Sequence, residues 1–148
     1  MNELQELYRE VILDHNRQPR NFGEIEDADR VIEGVNPLCG DRMTLYLKLD
    51  GSTVQDVCFK GTGCAISVAS SSLMTERIKG ASIDETLDLF EMVHEMLTSA
   101  GDEPPEELEK LVALAGVREY PSRVKCASLA WHALKAALTG AGHEISTE

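Results

Sequence analysis

Residues 43–60 contain the pattern that most restricts the fold of this chain, two alternating segments joined by a tight turn. The apolar positions of the first segment are Met43, Leu45, Leu47 and Leu49, with polar or aromatic residues between them. Asp50 and Gly51 follow, a dipeptide typical of two-residue hairpin turns. The second segment returns with Val57 and Phe59 on one face. The pattern predicts an antiparallel β-hairpin with one buried face.

Helical spacing of apolar residues surrounds this hairpin on both sides in the sequence. The predicted helices are residues 3–16, 65–78, 83–97, 106–115 (short and acidic, with solvated charges) and 121–139. Residues 31–35 add a short third strand. We therefore predict an α+β fold, a small antiparallel sheet of about three strands packed against helices. The chain has 148 residues, which suits one domain covering residues 1–148.

Composition excludes several classes of function. The formal net charge of −12 argues against binding to nucleic acid, whose phosphates attract Lys and Arg, and against docking on an anionic membrane surface. No apolar run approaches the length of about 18 residues that a transmembrane helix needs. The N-terminal residues are acidic and amphipathic, unlike a signal peptide. We therefore expect a cytoplasmic protein.

Four cysteines are expected to be reduced in that compartment, and so to bind metal or to react rather than to form disulfides. Three of them lie in unusual contexts. Cys39 stands between a Pro-Leu pair and Gly-Asp, Cys64 follows Gly-Thr-Gly at the start of a predicted helix, and Cys126 lies in the first turns of the last helix. The fourth, Cys58, is interpreted as a small apolar strand residue. His15 is interpreted as a capping or surface residue, and His94 as a half-exposed residue.

The three unusual cysteines and Asp41 each lie near the end of a predicted strand or helix, and such ends cluster at one edge of a small α+β fold. Three thiolates and a carboxylate could bind four-coordinate zinc or two irons bridged by sulfide. In either case a net negative charge remains, which the neighbouring Arg42, Arg123 and Lys125 would offset. Spacing alone also allows the alternative that some of these cysteines only fill space.

Three separated motifs occur in the order of a known family. They are residues 36–41 (Asn-Pro-Leu-Cys-Gly-Asp), 61–67 (Gly-Thr-Gly-Cys-Ala-Ile-Ser) and 117–126 (Val-Arg-Glu-Tyr-Pro-Ser-Arg-Val-Lys-Cys). Together with residues 7–8, 14–15 and 19–23, they resemble the IscU/NifU-N iron–sulfur cluster assembly family, and most of all its SufU branch. The resemblance covers nearly the whole chain. It implies the α+β fold and a metal site formed by Cys39, Asp41, Cys64 and Cys126.

Three features favour the SufU branch over the scaffold-type IscU proteins. Lys125 precedes the last cysteine, where the scaffold type has a histidine. Residues 120–125 lack the Leu-Pro-Pro start of the chaperone-docking motif of the scaffold type. Residues 98–115 resemble the insertion that marks SufU.

The resemblance implies a zinc-dependent sulfur acceptor for a PLP-dependent cysteine desulfurase of the SufS kind. Cys39 would take the terminal sulfur of the desulfurase persulfide and pass it to downstream iron–sulfur assembly proteins. Whether such a relay counts as an enzyme, a sulfurtransferase, is left open. One alternative is a scaffold on which a [2Fe–2S] cluster is assembled and transferred. Another is a purely structural zinc, although an Asp ligand is uncommon in structural sites and favours a site that opens.

Overall fold

The computed structural model describes residues 3–98, 104–140 and 144–146, with the backbone alone for residues 3–5, 118, 119 and 144. The helices are α1 (Glu3–Arg17), α2 (Ala65–Ile78), α3 (Ile83–Thr98) and α4 (Pro121–Thr139), and a 3₁₀ segment (Glu106–Glu119) precedes α4. The strands are β1 (Arg30–Asn36), β2 (Asp41–Asp50), β3 (Thr53–Thr62) and β4 (Glu144–Ser146). Within these ranges, no helix is long and apolar enough to cross a membrane.

The strands form one mixed sheet in the order β3-β2-β1-β4. Strands β1, β2 and β3 are antiparallel neighbours, which confirms the predicted three-strand meander. Strand β4 is an addition to the predicted sheet of about three strands, and it pairs in parallel with β1 through three residues. Ile145 of β4 is partly buried and packs against the core beside Gly34 and Leu129. This burial of an apolar side chain explains why the strand forms there.

The hairpin turns one face toward the helices, as the alternation predicts. Leu45, Leu47, Val57 and Phe59 are almost fully buried on that face. Strict alternation from Val57 and Phe59 would place Val54 on the opposite face, together with Cys58. A register shift between Lys48 and Leu49 moves Val54 to the buried face, whereas Cys58 remains half-buried.

Helix α2 lies in the interior and its small side chains permit close packing. Ser67, Ser70, Ser71 and Ser72 are all buried. The hydroxyl of Ser70 accepts a hydrogen bond from Nε1 of Trp131 at 3.1 Å and donates one to the carbonyl of Ala127 at 2.6 Å. Both bonds join α2 to α4, and the one to Ala127 lies at the residue that follows Cys126.

The 3₁₀ segment differs from the short solvated helix predicted for residues 106–115. It continues to Glu119 but is interrupted by a kink at Glu109, whose φ is +51°, and Leu108, Leu111 and Leu114 are fully or almost fully buried. Some of its charges are paired, since Lys110 lies 3.3 Å from a carboxylate oxygen of Glu76. Residues 99–103, which are part of the predicted insertion at residues 98–115, lie outside the described residues.

The prediction that His15 is a surface or capping residue is wrong. His15 is 1% exposed, because α1 packs across α2. Its Nδ1 lies 2.7 Å from the hydroxyl of Ser72, and that hydroxyl accepts the backbone N–H of Arg20 at 2.8 Å. Nε2 of His15 is buried and has no hydrogen-bond partner among the described residues. His94 is half-exposed and stacks on Phe90, as expected.

Candidate metal centre

A hairpin turn positions the first two candidate ligands. Strand β1 ends at Asn36 and β2 begins at Asp41, and these two residues are paired in the sheet. Residues 37–40 form the turn, where Gly40 adopts a φ of +72°, in the left-handed region that favours glycine. Cys39 is exposed on the turn, whereas Asp41 is fully buried at the start of the strand.

Three donor groups meet beside this turn. Sγ of Cys39, a carboxylate oxygen of Asp41 and Sγ of Cys126 all lie within 4.8 Å of one another. Cys126 comes from α4 and is fully buried. The structure therefore brings together three of the four residues that the sequence predicts as metal ligands, with one exposed member and two buried ones.

Cys64 reaches the same place from a third element. It is the residue before α2, and its backbone N–H donates a hydrogen bond to Oδ1 of Asp41 at 2.8 Å. Its side chain is half-buried and interacts with the thiol of Cys126. Cys64 thus borders the cluster of three donors, although its sulfur is not among the three atoms that lie mutually within 4.8 Å.

Two glycines make this approach possible, for different reasons. Gly61 has a φ of +152°, and a Cβ at this residue would lie 2.1 Å from the carbonyl oxygen of Arg42. At Gly63 no left-handed backbone is required, but a Cβ would lie 2.7 Å from Oδ1 of Asp41. A left-handed backbone is thus required at Gly61, whereas Gly63 is required for the close approach of the carboxylate.

The electrostatics of the cluster favour a cation. Burial, and then hydrogen bonding with Asp41, Cys39 and Cys64, raises the pKa of Cys126, so that its buried thiol keeps its proton when no cation is present. Arg123 lies beside the cluster on α4. The sulfurs of Cys64 and Cys126 raise the pKa of its guanidinium. Arg123 therefore offsets part of the negative charge, as its position in the sequence suggested.

Asn36 is a residue of the site to which sequence reasoning gave no role. It is fully buried, and its Nδ2 lies 3.1 Å from Oδ2 of Asp41 and 3.5 Å from Sγ of Cys126. Asn36 opens the motif at residues 36–41, but a polar residue at the end of a strand is more often exposed, so the motif did not indicate a buried contact with the ligands.

The donor set fits a thiophilic metal. Thiolates with one carboxylate suit zinc, and cysteine thiolates also hold iron–sulfur clusters. Without a cation the buried thiol of Cys126 stays protonated and the buried carboxylate of Asp41 lacks a full counter-charge, and a bound metal would supply that charge. Cys39, Asp41, Cys64 and Cys126 could therefore hold a metal, with Cys39 the ligand most accessible from outside.

Comparison with known proteins gives the same family throughout. A profile of the NifU-like N-terminal domain matches residues 7–140. The chain is 44% identical over 132 residues to the zinc-dependent sulfurtransferase SufU of Bacillus subtilis, covering 89% of each protein. It is 43% identical over 133 residues to the iron–sulfur cluster assembly scaffold protein IscU of Thermotoga maritima, covering 89% of this chain and 92% of that protein.

Solved structures agree with the sequence matches. The crystal structure of FiSufU from Fervidobacterium islandicum AW-1 superposes with a TM-score of 0.82 at 39% identity, covering 90% of this chain and 98% of that one. The N-terminal part of a NifU-like protein from Brucella abortus gives a TM-score of 0.82 at 26% identity, covering 93% and 96%. By fold and by sequence, the chain belongs to the NifU-like N-terminal domain family, which it shares with the SufU and IscU proteins.

Proposed function

We propose that this protein is a zinc-dependent sulfur acceptor, which takes persulfide sulfur from a cysteine desulfurase onto Cys39. Its family is that of iron–sulfur cluster assembly proteins of the IscU and SufU type. The observation that carries the proposal is the asymmetry of the donor cluster. Asp41 and Cys126 are fully buried, whereas Cys39 is exposed on a turn where a partner protein can reach it.

Cys39, Asp41, Cys64 and Cys126 would hold the zinc. When bound, zinc supplies a divalent charge that keeps its thiol ligands deprotonated near neutral pH. The buried residues of the site are suited to retain the ion, because Asp41 accepts a hydrogen bond from the backbone N–H of Cys64 and Cys126 is fully buried on α4. The exposed Cys39 is suited to leave, since Pro37 and Gly40 bracket its turn.

In the transfer step, the Cys39 thiolate attacks the terminal sulfur of the persulfide on the desulfurase. A new S–S bond forms at Cys39 while the S–S bond to the desulfurase cysteine breaks. The desulfurase cysteine leaves as a thiolate with the electron pair of the broken bond, so the exchange needs no external oxidant or reductant. The product is a persulfide on Cys39, which would pass its sulfur to downstream assembly proteins.

Mass spectrometry tests this step directly. Zinc-loaded protein is incubated with its cognate cysteine desulfurase and cysteine, alkylated and digested. We expect one added sulfur atom on the peptide that contains Cys39. Cys58→Ser is a matched control, because Cys58 lies half-buried on β3 and we expect its replacement to leave the labelling unchanged. Labelling of other cysteines with Cys39 unmodified would contradict the proposal.

A second candidate function is a scaffold for a [2Fe–2S] cluster. It is favoured by the IscU protein of Thermotoga maritima, named as a scaffold and 43% identical, almost as similar as the SufU protein at 44%. The same four residues would hold the cluster. Reconstitution with iron and sulfide separates the two functions. A scaffold yields a stable cluster that an apo acceptor can take up, whereas a zinc relay yields little cluster unless its zinc is first removed.

A further inference from the structure

One buried side chain beside the donor cluster has no part in the sulfur transfer described above. Asn36, the last residue of β1, is fully buried, and its amide nitrogen lies between two of the proposed ligands. Nδ2 is 3.1 Å from Oδ2 of Asp41 and 3.5 Å from Sγ of Cys126. An amide NH₂ group carries two protons, so it can donate one to each of these acceptors.

The chemistry of the acceptors fixes which way this amide points. An ionised carboxylate only accepts hydrogen bonds, so a flipped Asn36 would place its own oxygen against Oδ2 of Asp41. In the orientation observed, Oδ1 of Asn36 is buried and has no hydrogen-bond partner among the described residues. An unpaired buried carbonyl is unfavourable. The fold thus accepts one unpaired oxygen in order to direct the NH₂ group at Asp41 and Cys126.

The hydrogen bonds leave Asp41 held on both sides. Oδ2 faces Asn36, and Oδ1 accepts the backbone N–H of Cys64. Both donors are electrically neutral, so they stabilise the carboxylate without competing as cations with a bound metal. Cys39, in contrast, is exposed on the turn.

We propose that Asn36 is a positioning residue that keeps Asp41 and Cys126 together as metal ligands, including while Cys39 is engaged with a partner. This inference rests on the proposed function. When Cys39 leaves, the remaining ligands include a buried carboxylate and a buried thiolate, which repel each other. The NH₂ group of Asn36 lies between them and reduces that repulsion. The three-ligand state therefore depends on Asn36.

A zinc competition experiment tests this role. Zinc affinity is measured against a chromophoric chelator for wild type, Asn36→Leu, Cys39→Ala and the double variant. Loss of a hydrogen bond that orients metal ligands typically weakens affinity by about 10–100-fold, and we expect a loss in this range from Asn36→Leu in both backgrounds. The absorption bands of the cobalt-substituted protein should also change in Asn36→Leu, because the ligands move.

Thr86→Val is the matched control. Thr86 is buried at the start of α3, and its hydroxyl donates to the carbonyl of Ser82 at 2.7 Å. Its replacement removes one hydrogen bond remote from the cysteines. We expect Thr86→Val to lower stability while zinc affinity and the cobalt spectrum stay unchanged. If Asn36→Leu acted only on stability, it would give the same result as Thr86→Val.

The outcomes separate this inference from the proposed function. Zinc binding by wild type with a loss of less than about threefold in Asn36→Leu would overturn the role of Asn36 and leave the sulfur relay intact. A wild type that binds no zinc through its cysteines would overturn both. If Asn36→Leu does not fold, NMR of selectively labelled wild type decides. We expect the side-chain NH₂ signals of Asn36 to shift when zinc is added, and unshifted signals would overturn the inference.

Discussion

The backbone N–H of Cys64 donates a hydrogen bond to Oδ1 of Asp41 at 2.8 Å, across 23 positions of sequence. This bond joins the start of α2 to the start of β2, the two elements that carry these candidate ligands. It can form because Gly63 has no side chain between the two groups. The position of the Asp41 carboxylate thus depends on Gly63, which is not itself a candidate ligand.

We predict that Gly63→Ala weakens zinc binding. The added Cβ would lie 2.7 Å from Oδ1 of Asp41, closer than such contacts allow, so the carboxylate must move. We expect a loss of about tenfold or more in zinc affinity, measured by chelator competition. Gly116→Ala is the control, since its Cβ would meet no atom within 4 Å. Equal affinities of the two variants would count against this assignment of Gly63.

Gly61 and Gly23 allow steric overlap to be separated from backbone strain. Their φ angles are nearly equal, +152° and +149°, but only at Gly61 would a Cβ collide with backbone, at the carbonyl of Arg42. Backbone strain of this kind costs about 1–3 kcal/mol, which we expect for Gly23→Ala. Gly61→Ala should lower the free energy of unfolding further, because β2 and β3 must also separate. Urea unfolding of both variants measures the difference, and a smaller loss at Gly61 would refute the argument.

Local patterns in the sequence were sufficient for most of the fold. The hairpin follows from alternation and a tight turn, and the predicted helix 65–78 matches α2. Features that depend on tertiary contacts were missed. The burial of His15 depends on which face of α1 packs against α2. Strand β4 depends on the packing of Ile145 against the core. Neither contact has a local signal.

The candidate site shows the same division. The motifs around Cys39, Asp41, Cys64 and Cys126 were sufficient to select these residues, and the structure brings three of them within 4.8 Å. The assignment of the four as metal ligands remains a prediction. The motif at residues 36–41 includes Asn36, but its role could not be found in the same way, because its contact with Cys126 requires β1 and α4 to meet first.

We predict that His15 makes the protein less stable in mild acid. Burial, and then the charge of Arg20, lowers the pKa of His15 in the folded state below its ordinary value of 6.5. Below that pH the unfolded chain therefore takes up a proton more readily than the folded protein does. The free energy of unfolding should fall as the pH decreases from 6.5 toward the lowered pKa of His15. Above pH 6.5 the contribution of neutral His15 to the free energy of unfolding is fully retained.

Urea unfolding of the metal-free protein at about pH 7.5 and about pH 5.5 measures this effect, compared with His15→Gln. The variant should lose less stability between the two pH values than wild type. Some loss should remain in the variant, because burial also lowers the pKa of His132. An identical loss in both proteins would show that His15 does not contribute.

Alanine production by the cognate cysteine desulfurase tests the central claim most directly, because each sulfur removed from the desulfurase frees it for another turnover. Zinc-loaded wild type and Cys39→Ala are compared at equal zinc content, and matching circular dichroism spectra of the two samples exclude a merely structural effect. We predict strong stimulation of alanine formation by wild type and none by Cys39→Ala. Equal stimulation by both proteins would contradict the role of Cys39, and stimulation by neither would favour the cluster scaffold.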